Sequence, residues 1–193
     1  EFGLNSIQVS VYAATIATVL ALLLAFYKRL HAAKWRGLPL QFSGFGYAVP
    51  GTVLAMAMLA TFGPLDHWIN ALAVKLSVEE PGLILSGTTF AIVFALVVRF
   101  SAIANGSIVS GLAQVPRSID QAPQSLGVPL KRSLFSVHVP LLRSAIFSAW
   151  LLVFVEAMKE LPAVLLLRPF NFETLATSIY QLISDEMLEQ GAF

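Results

Sequence analysis

Four charged side chains stand where this sequence leaves little room for charge. Glu156, Lys159 and Glu160 lie in the apolar run LLRSAIFSAWLLVFVEAMKELPAVLLL, and Arg99 is the one charge in LILSGTTFAIVFALVVRFSAIA. Glu156 and Glu160 are four residues apart, so a helix would put them on one face, with Lys159 close enough to neutralise one of them. Charge within a membrane is costly and faces a bundle interior or a wet path. Two roles fit this group. Carboxylates suit hard cations, which would make it the outer lining of a cation path. Alternatively it is an internal ion-pair network, with Arg99 included, that fixes helix packing. Two carboxylates beside a lysine do not make a metal site. His31, His67 and His138 are scattered over separate segments and read as loop or interface histidines. No metal set and no cofactor is expected.

Enzymatic chemistry lacks its parts. The chain has no G-x-x-x-x-G-K-[ST] loop to cradle phosphates, no G-x-S-x-G elbow and no H-E-x-x-H pair. It has no cysteine, which excludes disulfides and thiol catalysis. Any ATP chemistry would come from a partner. Nucleic-acid binding is not expected either, because the basic residues follow a membrane topology and form no single stripe.

The elements that must position these residues are apolar. Of 193 residues, 57% are hydrophobic and only 12% charged, with mean hydropathy +0.78. A soluble domain carries about a quarter charged residues, so a membrane protein is expected. Candidate spans cover 7–27, 45–62, 83–104 and 141–167, the last long enough to cross with tilt. After the first span come Lys28, Arg29, Lys34 and Arg36 with no acid, and after the third come Arg117, Lys131, Arg132 and Arg143 against Asp120. The segment 63–82 instead carries Asp66, Glu79 and Glu80 with Lys75, and 168–193 is similarly acidic. Lys/Arg bias puts the first two segments inside and the acidic ones outside. Both acidic segments show helical apolar spacing, Leu65–Trp68–Ile69–Leu72–Leu76 and Leu175–Ile179–Leu182–Ile183. They read as short amphipathic helices, the first lying at the outer interface. The opening residues EFGLNS lack a basic n-region, so no signal peptide is expected, and the ends read as those of a segment of a longer chain.

Between the third and fourth spans, residues 106–140 form a polar, basic interruption too patterned for a simple connector. Ser118 with Gln121 three residues on reads as a capping box. Gly127 would end that short helix, and Pro129 would open a second one carrying Leu130, Leu134, Phe135 and His138. Pro140 would reset the chain as it enters the fourth span. Two short helices joined at a glycine would thus lie on the cytoplasmic face.

This loop resembles the signature of ABC-transporter permease subunits: Glu-Ala-Ala, three residues, Gly, nine residues, Ile-x-Leu-Pro. The chain has Gln121-Ala122-Pro123, then Gly127, then Val137-His138-Val139-Pro140 in the same register. Gln121 replaces the acid, with Asp120 adjoining, and Pro123 replaces the second alanine. The resemblance implies an all-α, polytopic transmembrane bundle of the type I importer kind, with cytoplasmic coupling helices that dock in a groove of a separate ATPase. It places Asp120, Gln121, Ala122, Gly127, Lys131, Arg132, Val137 and Pro140 on that surface. Lys131 and Arg132 would meet acids of the ATPase or satisfy the inside-positive bias.

The stretches GYAVPGTVLA (46–55) and KELPAVLLLRPFNFETLAT (159–177) resemble ferric-iron permeases of the binding-protein-dependent class. Such proteins have two homologous halves, and this chain would cover the second from its second span through its fifth. The resemblance implies a bacterial inner membrane, multi-pass location. It also implies a periplasmic substrate-binding protein, an ABC ATPase and a second permease half or copy as partners, besides membrane lipid. Rival readings are a permease for thiamine, polyamine or sulfate, an ATP-independent channel or secondary carrier, and a non-transporting scaffold.

Overall fold

The computed structural model describes residues 1–30, 43–120 and 127–185, and all regular structure among them is helical. The long elements are α1 (Phe2–Leu30), α3 (Gly51–Lys75), α4 (Thr89–Ala113) and α7 (Arg143–Met158). The short ones are α2 (Phe45–Ala48), α5 (Leu130–Ser133), α6 (Val139–Leu141), α8 (Pro162–Leu167) and α9 (Leu175–Ser184). A π turn, Leu134–His138, separates α5 from α6. The expectation of an all-α bundle holds.

The core is α1, α4 and α7 packed on one another, with α2 against α4 and α8 against α3. Its composition inverts the soluble pattern. The buried stripe of α1 is Ser10, Ala13, Ala14, Ala17, Ala21 and Ala25, whereas Tyr12, Ile16, Val19, Leu20 and Leu23 point outward. Ala91, Ala95 and Ala104 of α4 and Ala149 and Ala157 of α7 repeat it. Small residues inside let helix backbones approach, and large apolar ones outside suit lipid.

The spans differ from those expected. By length and composition α1 and α4 can each cross a membrane, and the bent pair ending in α7 makes three if counted as one span. The second expected span, 45–62, is broken at Pro50. Val49 is extended (φ −83°, ψ 130°) as the residue before a proline prefers, so α2 stops and α3 starts afresh. α3 then runs on through Pro64 to Lys75, absorbing the separate outer helix expected after residue 63.

The third span starts at Thr89, not at residue 83. The backbone N–H groups of Ile84, Leu85 and Ser86 donate to the Asp66 carboxylate, and Gly87 adopts φ 64°, so this stretch cannot wind into α4. α4 also continues beyond residue 104 to Ala113, because Ile108 and Leu112 extend its buried face. The interruption expected over 106–140 is correspondingly shorter.

The fourth span is not one helix over 141–167. The chain turns by 70° at Leu142, not at Pro140, which lies inside α6. α7 ends at Met158, and Pro162, which has no N–H to continue the ladder, takes the first position of α8. At about 1.5 Å per residue α7 alone is shorter than the hydrocarbon core.

α2 lies so close to α4 that a Cβ on Gly46 would collide with the Val98 carbonyl, a backbone group that cannot swing aside. Gly106 of α4 faces open space. Gly46→Ala is therefore expected to cost upwards of ~1 kcal/mol, whereas Gly106→Ala should raise stability by up to ~1 kcal/mol. Thermal unfolding in detergent measures both, and equal shifts would remove this close approach as a constraint.

Candidate functional site

The sequence-predicted residues gather at two places, one about midway along α4 and one at its C-terminal end. At the first, the two helix breaks meet. Arg99 of α4 donates from Nη1 to the Val49 carbonyl at 2.6 Å, the last peptide oxygen before Pro50. Its Nε lies 3.2 Å from Glu160 Oε2, at an angle too poor for a hydrogen bond, so that contact is Coulombic. Glu160, 8% exposed, accepts from the Ala163 N–H at 3.4 Å at the start of α8. Gly51 leaves the space that Glu160 Oε1 occupies, since any Cβ there would overlap it.

Glu156 pairs instead with Lys159 at 2.7 Å near the surface. Because α7 ends at Met158, Glu156 and Glu160 do not continue along one helix face. The expected sharing of a face gives way to two separate pairs, Arg99–Glu160 buried and Glu156–Lys159 exposed. Among the described residues no three His, Asp or Glu side chains converge as metal ligands.

At the N-terminal end of α4, the segment between α3 and α4 is held by residues that the sequence did not single out. Asp66, 1% exposed, accepts from the backbone of residues 84–86 and from the Ser86 hydroxyl. Asn70, one turn on, exchanges bonds with both backbone groups of Gly82. Asp66 lies beyond residue 62, in the outer segment of the topology the charges indicate. Burial alone would raise its carboxyl, but the Ser86 hydroxyl and the three backbone donors outweigh it and hold it at about 2. On the same side, the Thr174–Thr177 capping box starts α9, and Ser6 of α1 accepts the Leu175 N–H at 2.7 Å. The apolar residues Leu175, Ile179 and Ile183 of α9 are exposed.

At the other end lies the interruption. Residues 118–120 are helical, with the Ile119 and Asp120 N–H groups donating to the Pro116 and Arg117 carbonyls, and the partner expected for Ser118, Gln121, lies with Ala122 outside the described residues. Gly127 is exposed with φ 68°, the left-handed conformation that a glycine after a helix supplies. The backbone of Lys131 is in α5, and its side chain is outside the description. Arg132, Phe135 (59% exposed), Ser136 and Pro140 face outward, while Val137 is half-buried.

Asp120 turns inward. Its Oδ1 lies 2.7 Å from His138 Nε2 and its Oδ2 accepts from Arg29 Nε at 2.7 Å. His138, expected as a surface histidine, is fully buried. Its Nδ1 faces the Ser133 carbonyl at 3.1 Å, and Phe26 meets its ring edge-on at 4.7 Å. The rest of the Arg29 guanidinium covers the end of α4: Nη1 donates to the Leu112 carbonyl, and Nη2 to those of Val115 (2.7 Å) and Pro116 (3.2 Å). A helix end leaves such carbonyls without partners, and a cation complements its negative dipole end. Burial opposes the Asp120 charge, yet His138 and then Arg29 outweigh it and hold the carboxyl below its usual range. Arg29 and His138 carry no local signal in the sequence, since 91 and 18 residues separate them from Asp120.

A groove of about 570 Å³ runs between α4 and α7 close to this end, with Ser107, Ser110, Gln114, Ser144 and Ser148 among its lining.

No protein-family model matches the chain. It is 28% identical over 121 residues to "Ferric transport system permease protein FbpB" of Actinobacillus pleuropneumoniae, a match covering 63% of this chain and 15% of that protein. A putative ferric transport system permease protein, FbpB 1 of Haemophilus influenzae, is 29% identical over 121 residues, covering 63% and 17%. A putative 2-aminoethylphosphonate transport system permease protein, PhnV of Salmonella typhimurium, is 25% identical over 186 residues, covering 86% of this chain and 70% of that protein. This chain is a relative of transport-system permeases. It spans less than a fifth of the length of the two ferric-transport relatives.

Two outcomes follow from these contacts. Arg99→Met would strand the buried Glu160 charge and is expected to cost about 3–5 kcal/mol, most of it recovered when Glu160→Gln is added. Additive losses in unfolding measurements would show that the pair is not coupled. The Asp66 carboxyl titrates lower in the fold, about 2, than its ordinary 3.8, so its contribution is fully present above 3.8 and lost as pH falls towards 2. The melting temperature of wild type should fall across that window more steeply than that of Asp66→Asn, and parallel curves would count against this assignment.

Proposed function

We propose that the chain is membrane-permease machinery of an ATP-driven importer in a bacterial inner membrane, coupled through residues 114–140 to a separate ABC ATPase. The observation that supports this reading most is the two-sidedness of the interruption. Asp120 and His138 anchor its inner side to α1 and α4, while Arg132, Phe135, Ser136 and Pro140 are left on an outer face just before the 70° bend into α7. A loop that served only as a connector has no need of a buried charged anchor beneath an exposed aromatic. When ATP closes the ATPase dimer, a segment seated on it carries the ends of α4 and α7 along, which is how alternating access is driven. Lys131 and Arg132 contribute positive charge to that face, and Gly127 sets the angle between its two parts.

The outer segments 63–82 and 168–193 would receive a periplasmic substrate-binding protein, and a second permease half or copy would complete the path. Arg99, Glu156, Lys159 and Glu160 would stand beside its middle stretch and the serine-lined groove towards its inner end. Ferric iron is the proposed substrate, on the residues 46–55 and 159–177 and on the ferric-transport relatives. A phosphonate is the second reading, favoured by the larger share of both chains in the PhnV match.

The test is co-purification of the intact transporter with its ATPase, together with uptake of radioactive iron and of 2-aminoethylphosphonate. Phe135→Asp should lower ATPase association at least ~10-fold, about 1.4 kcal/mol, without changing the amount of permease in the membrane. Retained association, or uptake that ignores ATP, would sink the coupling reading in favour of a channel or carrier. The labelled solute that accumulates decides the substrate.

A further inference from the structure

We propose that Arg29 is a positioning residue that makes the inner end of α1 part of the coupling lever, through the buried joint Arg29–Asp120–His138. The inference rests on the coupling reading above and deepens it, because it assigns the machinery a third helix that the motif itself does not contain.

The geometry carries the argument. One guanidinium touches the chain on both sides of the corner where α4 ends. Its Nε holds Asp120, and its two terminal nitrogens hold the carbonyls of Leu112, Val115 and Pro116. Asp120 in turn reaches His138, the last residue of the π turn before the bend into α7. Both ring nitrogens of His138 face oxygens of the joint, the Ser133 carbonyl and Asp120 Oδ1. Phe26, one turn before Arg29, closes over the same ring. So a single stretch of α1, Phe26 to Arg29, contacts the end of α4, the start of the loop and the helix that bears Phe135.

Such a joint resists separation. Pulling Asp120 away from Arg29 would leave buried charges without partners, the arrangement that buried pairs tolerate least. Rotating α4 without α1 would uncover the carbonyls of its last turn. The loop therefore moves with α1, and a displacement at the outward face of Phe135 reaches the first helix as well as α4 and α7. A planar fork meeting several oxygens is work suited to arginine, and a lysine would satisfy fewer of them.

The experiment uses the intact transporter. Arg29→Gln, Asp120→Asn and the double variant are compared for membrane abundance, ATPase association, and uptake per ATP hydrolysed. Association should persist, because the outer face is untouched, while uptake per ATP falls about 10-fold in each single variant and no further in the double. Arg29→Lys should recover part of the ratio. Additive losses, or a loss of abundance with the ratio unchanged, would overturn the joint and leave the coupling reading standing. Absent association in wild type would overturn the coupling reading itself.

A second readout does not depend on turnover. The chain has no cysteine, so spin labels at Lys28→Cys and Pro129→Cys, both exposed and neither on the docking face, report the distance across the joint. That distance should stay within ~2 Å between nucleotide-free and ATP-bound states, and change by more when Asp120→Asn is added. A shift of several ångström in the wild-type background would show that α1 and the loop move independently.

Discussion

Peptide groups at the ends and breaks of helices govern this structure. Away from water they have no partner unless the protein supplies one, and each unsatisfied group costs several kcal/mol in hydrocarbon. At four such places a charged side chain supplies the partner. Arg99 takes the Val49 carbonyl where α2 stops, and Glu160 the Ala163 N–H where α8 begins. Arg29 covers the carbonyls at the end of α4, and Asp66 gathers the N–H groups of the segment before it. In each case the sign is the one the backbone requires, cations on carbonyls and carboxylates on N–H groups. The charges that looked out of place in an apolar sequence are thus where the backbone changes direction.

The charges of the α7 break differ in what the fold asks of them. Glu160 is committed to Arg99 and to the backbone and sits in the space that Gly51 leaves, so removing it disturbs two helix breaks at once. Glu156 and Lys159 form a surface pair whose contribution to stability is small. A role in passage of solute and a role in packing are separate demands. The buried pair answers the second by geometry alone, whereas the exposed pair has little structural reason to exist.

The apolar periodicity announced the helices. α1 and α4 follow from runs that only a membrane or a large core accommodates, and α9 from its apolar spacing. Gly127 was legible as punctuation, whereas the break before Pro162 was not, since one span was expected over 141–167. The sequence was silent on contacts between distant residues. Nothing near Arg29 marks it as more than one of several basic residues following a span, and nothing near His138 marks it as buried. Asp66 shows the limit from the other side. Read locally it is an acid in an outer loop, and only folding reveals that residues 84–86 return to it. The start of α4 was misplaced for the same reason, since helix propensity says nothing about an acceptor eighteen or twenty residues away.

The two charged clusters are connected by one rigid element. Arg99 and Leu112 lie on α4, and at about 1.5 Å per residue they are ~20 Å apart along its axis. The helix between them is unbroken and packs on α1 and α7 through alanines, glycine and a few larger residues, a contact that leaves little slack. The groove side differs: there, serines and Gln114 separate α4 from α7 with open space between. The α1 contact therefore holds α4 on one side, and the groove is where the helices have room to change their spacing. About midway along α4, Arg99 ties the same helix to the Val49 carbonyl and to Glu160. Helices broken at Pro50 and before Pro162 can pivot where a continuous helix would have to bend. The breaks thus meet α4 near its middle and the capped corner holds its C-terminal end, so one continuous helix keeps the two charged clusters at a fixed separation.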